Sequence, residues 1–257
     1  KQISRSAEKP KEVMLKVVTV RLDFAPYGLL CLMIKTFSEQ GIGLIVPMIG
    51  YFSVVIGCLL LHGLGTFTLL ITFLAKLNPI TFIKKMRPAQ IFAFSTASSN
   101  ATIPVTLQVV EKRLGVNNST AAFTIPLGAT INMDGTAIMQ GVATVFIANV
   151  YGIDLSLTQY LTVIGMSILA SIGTAGVPGV GLIMLAMVFN QVGLPVEGIG
   201  LILGVDRLLD MVRTAVNITG DATVTCIVAR GENEIDLDIF NDPDAGVITE
   251  IELPHKA

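Results

Sequence analysis

The residues with the most chemistry to offer lie near the C-terminal end of the chain. An apolar stretch over residues 199–229 carries Asp206, Arg207, Asp210, Arg213, Thr214, Asn217 and Asp221. Asp206, Asp210, Thr214, Asn217 and Asp221 follow one another at steps of four, four, three and four, the spacing of one helical face. Arg213 borders that face. A charge at the centre of a bilayer costs on the order of 2.5–3.5 kcal/mol on insertion scales, so in a membrane such a stripe must face protein or a wet cavity. Pairing of Asp210 with Arg213 answers part of the cost, but Asp221 has no cation near it in sequence. Three aspartates against two arginines leave this helix at −1, and Asp134 brings the total to −2. A buried negative excess calls for cations or protons. Carboxylate, amide and backbone oxygens suit a hard cation, with protonation the alternative. The Arg213 fork matches a carboxylate through two parallel hydrogen bonds, and Asp210 could take an ammonium. A ligand that satisfies both, with a further carboxylate, is an acidic amino acid.

The elements that would position these groups belong to lipid. Apolar residues make up 52% of the chain and charged residues only 14%, against about 25% in soluble domains. A net charge of −2 leaves no basic footprint for nucleic acid. The opening residues are polar, lack the short apolar core of a signal peptide, and read as the interior of a longer chain. The pattern predicts an all-α membrane protein. Residues 1–13 form a cytoplasmic polar segment and 14–41 a transmembrane helix. Residues 42–229 form one membrane domain, and 230–257 an acidic, solvated cytoplasmic tail. Within 42–229 come an apolar transmembrane helix, a hairpin over 88–113, a broken helix over 120–150, a hairpin over 157–192 and the charged helix over 199–229.

The hairpins follow from charge and from breakers. Lys84-Lys85-Met86-Arg87-Pro88 and Glu111-Lys112-Arg113 read as two basic loops, both placed inside by their positive charge. The stretch between them is polar at its centre, from Ser95 to Pro104, so it enters and returns. The second hairpin turns at Ser171-Ile172-Gly173-Thr174-Ala175-Gly176-Val177-Pro178-Gly179-Val180-Gly181, too rich in glycine for a helix interior. Each hairpin precedes a helix with an asparagine motif at its centre: Asn132-Met133-Asp134-Gly135-Thr136 and Asn217-Ile218-Thr219-Gly220-Asp221. Two re-entrant hairpins entering from opposite faces make an inverted repeat, with binding at the midplane. Unwound backbone at Asn132–Thr136 would free carbonyls for an ion.

Three segments together resemble the signature motifs of the dicarboxylate/amino acid:cation symporter family, the glutamate transporter homologues. They are Asn132-Met133-Asp134-Gly135-Thr136, the glycine-rich run from Ser171 to Gly179, and Asp210-Met211-Val212-Arg213-Thr214-Ala215-Val216-Asn217. The resemblance runs from about Glu12 to Arg230. It implies a homotrimer in the cell membrane in which a transport domain, residues 42–229, moves like an elevator past a scaffold to which the helix over 14–41 belongs. It also implies symport of aspartate or glutamate with sodium ions, the hairpins acting as inner and outer gates. Arg213 would bind the substrate side-chain carboxylate and Asp210 its amino group. Thr214, Asn217, Thr136 and Ser99 would contact the substrate, with backbone of Val177 and Gly181. One sodium site would use Asp221 with carbonyls of Gly128, Asn132 and Asn217. A second would use carbonyls of Thr130, Ser171, Ile172 and Thr174. A third would use Asn132 and Asp134, with the Met133 thioether near an ion site. Ala97 and Met211 stand where many relatives carry an arginine. Gln140 replaces an acid linked to proton and potassium coupling, so neither is expected, and the retained Asp221 favours sodium.

No Ser-His-Asp set, metal-ligand spacing or phosphate loop is visible, so no enzyme is expected. Cys31, Cys58 and Cys226 read as small buried hydrophobes and His62 as isolated. The rival readings are a C4-dicarboxylate carrier, whose ligand would leave Asp210 without an ammonium, and a proton-coupled glutamate carrier.

Overall fold

The computed structural model describes residues 45–246, together with Ile34 and Gly43. The polar segment 1–13, the helix expected over 14–41 apart from Ile34, and residues 247–257 lie outside the described residues. Among the described residues every named element is helical, and the only strand-like feature is an isolated antiparallel bridge between Val116 and Ile235.

Helix α1 runs from Ile45 to Ala75 as Ile45–Leu60, a π-helical turn Leu61–Thr66, Phe67–Leu70 and a second π-helical turn Ile71–Ala75. Within it, Val46–Ala75 is the one described helix long and apolar enough to cross a membrane. Lys76 stops it in the left-handed conformation (φ 54°). Asn78 then caps α2 (Pro79–Thr96), its side chain accepting from the Ile80 and Thr81 amides, with Pro79 in the first turn where no N–H is needed. The basic run read as a loop therefore lies inside α2. The helix signal begins at Asn78-Pro79, and Pro88 is accommodated within it. Lys85 is buried there. Ser98 caps α3 (Ser99–Lys112) by accepting from the Ala101 amide. Helices α2 and α3 pack on each other as a first helix pair.

Helix α4 (Asn118–Ile131) and helix α5 (Asp134–Val150) are interrupted only at Asn132 and Met133. Helix α6 (Leu157–Ile172) opens with a capping box, Ser156 with Gln159, and pairs with α7 (Val180–Val192). Helix α8 (Ile199–Gly231) is the longest element at 33 residues, about 50 Å at 1.5 Å per residue. A short α9 (Leu237–Asn241) ends the described chain.

Two cores flank α8. Its first half, with Leu201, Ile202 and Leu209, packs with α5, α6, α7 and the start of α1. Its second half, with Ile218, Ala222, Cys226 and Ala229, packs with α2, α3, α4 and Phe240 of α9. The acidic tail is thus not wholly solvated. Phe240 is 1% exposed, and burying a side chain of that size contributes roughly 1.5–3 kcal/mol. Outward faces stay apolar, as at Leu161, Ile164, Ile168 and Ile183. Apolar cover of this extent marks a surface that faces lipid or protein.

Candidate functional site

Both tips and the α4–α5 break converge on the middle of α8. The first tip meets the second where the Asn100 N–H (3.0 Å) and the Ser98 hydroxyl (2.8 Å) donate to the Gly176 carbonyl. The second tip meets α8 where the Gly179 N–H donates to Asp210 Oδ2 (3.0 Å). The break meets α8 twice. The Gly135 N–H donates to Asn217 Oδ1 (2.8 Å), and the Asn132 amide donates to Asp221 Oδ1 (3.0 Å). A broken helix leaves carbonyls of its first half and amides of its second half without intrahelical partners, so this junction is polar by construction.

A cavity of about 20 Å3 sits at the meeting point. Ser99, Thr136, Val177, Gly181, Asp210, Arg213, Thr214 and Asn217 all line it, with Ala97, Met133, Thr174, Ala175 and Gly176. Every residue assigned to the substrate in the sequence therefore borders one space, no larger than a water molecule needs. Of the wider surface grooves, the one between α1 and α5, about 550 Å3, carries no charged residue, whereas one of about 540 Å3 between α7 and the start of α8 reaches Asp206, Arg207 and Asp210 from the other side.

The cavity is small because its charges close on each other. Arg213 Nη2 donates to Asp210 Oδ1 at 2.6 Å, and Arg213 Nη1 lies 3.6 Å from Asp206 Oδ1. Both oxygens of Asp210 are therefore engaged, one by the guanidinium and one by the second tip. Arg213 is 2% exposed, Asp210 6% and Asp206 5%. Such a trio survives away from water only because its members pair. Arg213 Nη1 and Asp206 Oδ1 make no hydrogen bond within the protein.

The ion-site candidates divide. Asp221, Asn132, Gly128 and Asn217 come together. A Cβ on Gly128 would stand 2.6 Å from Asp221 Oδ1, so only glycine lets α4 approach this carboxylate. Among the described residues Asp221 forms no ion pair. Met133 and Thr174 line the cavity, and the Thr136 hydroxyl approaches the Met133 sulfur at 3.7 Å. Asp134 points elsewhere, pairing with His62 Nε2 at 3.0 Å. Thr130, Ser171 and Ile172 do not line the cavity. The Thr130 and Ser171 hydroxyls bond to their own helices, at Leu127 and Ile168, and Ile172 is partly exposed. No group of three or more His, Cys, Asp or Glu capable of holding a metal occurs among the described residues.

Three residues make contacts that the sequence does not announce, and His62 is not isolated. His62 reaches Asp134 from the first π-helical turn and stacks edge-on against Phe67 at 4.6 Å. Gln140, fully buried, donates to the Gly181 carbonyl (3.2 Å) and so ties α5 to the second pair. Tyr51 is buried on α1 with a hydroxyl that finds no protein partner. Gln140, already singled out by the resemblance, lies one turn beyond Thr136 on the same face of α5; nothing in the spacing flags the contacts of the other two.

A family model described as the sodium:dicarboxylate symporter family matches residues 1–231. With the broken helix, the two glycine- and serine-bearing tips and the Arg213–Asp210 pair, the chain belongs to that family. Relatives that it matches are named excitatory amino acid transporters. It is 40% identical over 219 residues to an excitatory amino acid transporter of Caenorhabditis elegans, covering 84% of this chain and 44% of that protein. It is 40% identical over 224 residues to human excitatory amino acid transporter 5, covering 85% of this chain and 40% of the relative. Human excitatory amino acid transporter 2 is 39% identical over 230 residues, covering 88% and 40%. The chain spans less than half the length of these relatives.

Proposed function

We propose that this chain is the substrate-carrying part of a sodium-coupled symporter for an acidic amino acid, aspartate or glutamate. The observation that carries the reading is the Arg213–Asp210 pair, buried where both tips and the α4–α5 break meet. An amphoteric ligand answers both members at once. Its side-chain carboxylate takes the Arg213 fork and its ammonium takes Asp210, displacing each from the other. A ligand with only one of these groups leaves a buried charge unpaired, which costs several kcal/mol. Thr136, Thr214, Asn217 and Ser99 supply hydroxyl and amide groups, and Val177 and Gly181 supply backbone. Release of Gly179 from Asp210 couples ligand entry to the second tip.

Sodium fits the rest of the donor set. Asp221 is a buried carboxylate with the Asn132 amide as its partner, and carbonyls of Gly128, Asn132 and Asn217 would join it around one ion. Thr130, Ser171, Ile172 and Thr174 would offer carbonyls for a second ion, and Asn132, Asp134 and Met133 would serve a third once Asp134 leaves His62. These are hard-cation ligands. The inverted-repeat arrangement of re-entrant hairpins, a homotrimer, multi-pass insertion in the cell membrane and elevator-type movement complete the proposal.

The test uses the full-length protein in liposomes, with sodium and proton gradients imposed separately. Labelled aspartate should accumulate under the sodium gradient, with competition by glutamate and little by succinate. Uptake driven by the proton gradient alone, or strong competition by succinate, would replace this reading with one of its rivals.

A further inference from the structure

The chain after α8 turns back on the end of the first helix pair opposite its tip. Asn117 N–H donates to the Glu234 carbonyl (2.8 Å) and Asp236 N–H to the Gly115 carbonyl (2.7 Å), across the Val116–Ile235 bridge. The Thr120 hydroxyl donates to the Glu234 carboxylate. Lys85 of α2 donates from Nζ to the Arg113 carbonyl and to the Ile239 carbonyl, each at 2.7 Å, so one ammonium joins both arms of the pair to α9. The same Nζ stands 5.8 Å from the centroid of the Phe240 ring. Phe240 itself is buried among Leu114 and Val116.

Two glycines make the approach possible. Gly115 has φ +74°, and a Cβ there would meet the Asp236 carbonyl oxygen at 2.4 Å. Gly246 has φ +58°, and a Cβ there would lie 2.3 Å from the Lys112 carbonyl oxygen. Both are left-handed positions that glycine adopts without strain. Close backbone approach is thus written into both sides of the contact. Lys85 stays buried although no carboxylate among the described residues forms an ion pair with it. Of the two carbonyls that answer its charge, Arg113 belongs to the pair itself and Ile239 is in reach only while α9 is docked.

We propose that residues 232–246 act as a strap that fastens the base of the first helix pair to α8, so that pair and helix move as one body. Without the strap the arms would be held at this end only by their own packing, and Lys85 would lose one of its two acceptors. The docking stands apart from the transport reading; its effect on turnover rests on it.

Amide hydrogen exchange on the full-length protein in nanodiscs tests the strap. In the unaltered protein the Asn117 and Asp236 amides should exchange at least tenfold more slowly than unprotected amides. Phe240→Ala and, separately, Gly115→Ala should speed exchange over residues 113–117 at least tenfold, with residues 209–221 of α8 unchanged. Unprotected Asn117 and Asp236 amides in the unaltered protein would overturn the proposal without any variant. So would a Phe240→Ala protein whose 113–117 exchange is unchanged. In liposomes, Phe240→Ala should change the maximal rate of aspartate uptake at least threefold at constant KM. A shift in KM with no change in rate would overturn the coupling of strap to movement. If the unaltered protein took up no aspartate, the transport reading would fall, and the exchange data would still decide the strap.

Discussion

The first helix pair turns on two residues, Ala97 and Ser98, while the second needs seven, residues 173–179. Ser98 caps its own helix and also reaches the opposite tip. Helix α2 packs along the second half of α8, and the base of its pair is fastened through Lys85 and Phe240. The second pair is held differently. Helix α6 turns Leu157, Leu161, Ile164 and Leu169 outward, and the tip reaches the body through Gly176, Gly179 and Gly181. Both pairs have core beneath them, but the tip of the first is tied by structural caps, whereas the tip of the second is tied by the very groups that would bind a ligand. A ligand that takes Asp210 therefore loosens one tip and leaves the other in place. Regions with few buried apolar contacts open at the lowest free-energy cost.

The contrast is broken most directly at α8. Arg213→Cys leaves Asp210 buried without its cation and removes the fork for a carboxylate. Aspartate affinity should fall a hundredfold or more, since losing one member of a buried pair costs about 3–5 kcal/mol, while neutral amino acids gain. Competition uptake assays check this, and undiminished aspartate affinity would remove Arg213 from the site. Asp210→Asn tests the tips themselves. Cysteine labelling at Val177→Cys should speed up at least tenfold in that background, and labelling at Ala97→Cys should not. Equal acceleration at both positions would erase the difference between the pairs.

Asp221→Asn removes the carboxylate beside Gly128 without touching either tip. The sodium concentration for half-maximal uptake should rise about tenfold, roughly one charge-assisted interaction of 1.4 kcal/mol, and an unchanged sodium curve would exclude Asp221 as a ligand. Gly176→Ala would set a Cβ 2.7 Å from the Asn100 side-chain oxygen and 3.0 Å from the Ala129 carbonyl. It should push the tips apart and lower aspartate affinity several-fold, read by calorimetric titration. The smallest effect belongs to the anchored tip. Ala97 holds φ +51°, so Ala97→Gly should relieve about 1 kcal/mol of strain and raise thermal stability, with uptake changed less than twofold.

What could be read from the chain beforehand was what repeats with a helical period. The stripe on α8 was legible because five polar residues at steps of three and four can share a face, and burial of Asp206, Asp210, Asn217 and Asp221 follows from it. The polar break at Asn132-Met133 was legible because nothing else interrupts that apolar run. Long-range partners were not. No local pattern sends His62 to Asp134 across 72 residues or Lys85 to Ile239 across 154. Charge and proline at residues 84–88 argue locally for a loop, and the helix there is decided instead by the cap at Asn78. The acidic tail read as solvated because one phenylalanine among many acids carries little weight in composition and much in packing.

The wide turn at Leu61–Thr66 changes what α1 can present. Its hydrogen bonds span five residues instead of four, so side chains five apart fall on nearly one side. In a regular helix they would diverge. His62 and Phe67 are such a pair, one ring reaching Asp134 and the other lying close to Gly220. Deleting a single residue between them would restore a regular helix with the rings four apart and still on one face, so what the extra residue sets is the register of α1 beyond the turn.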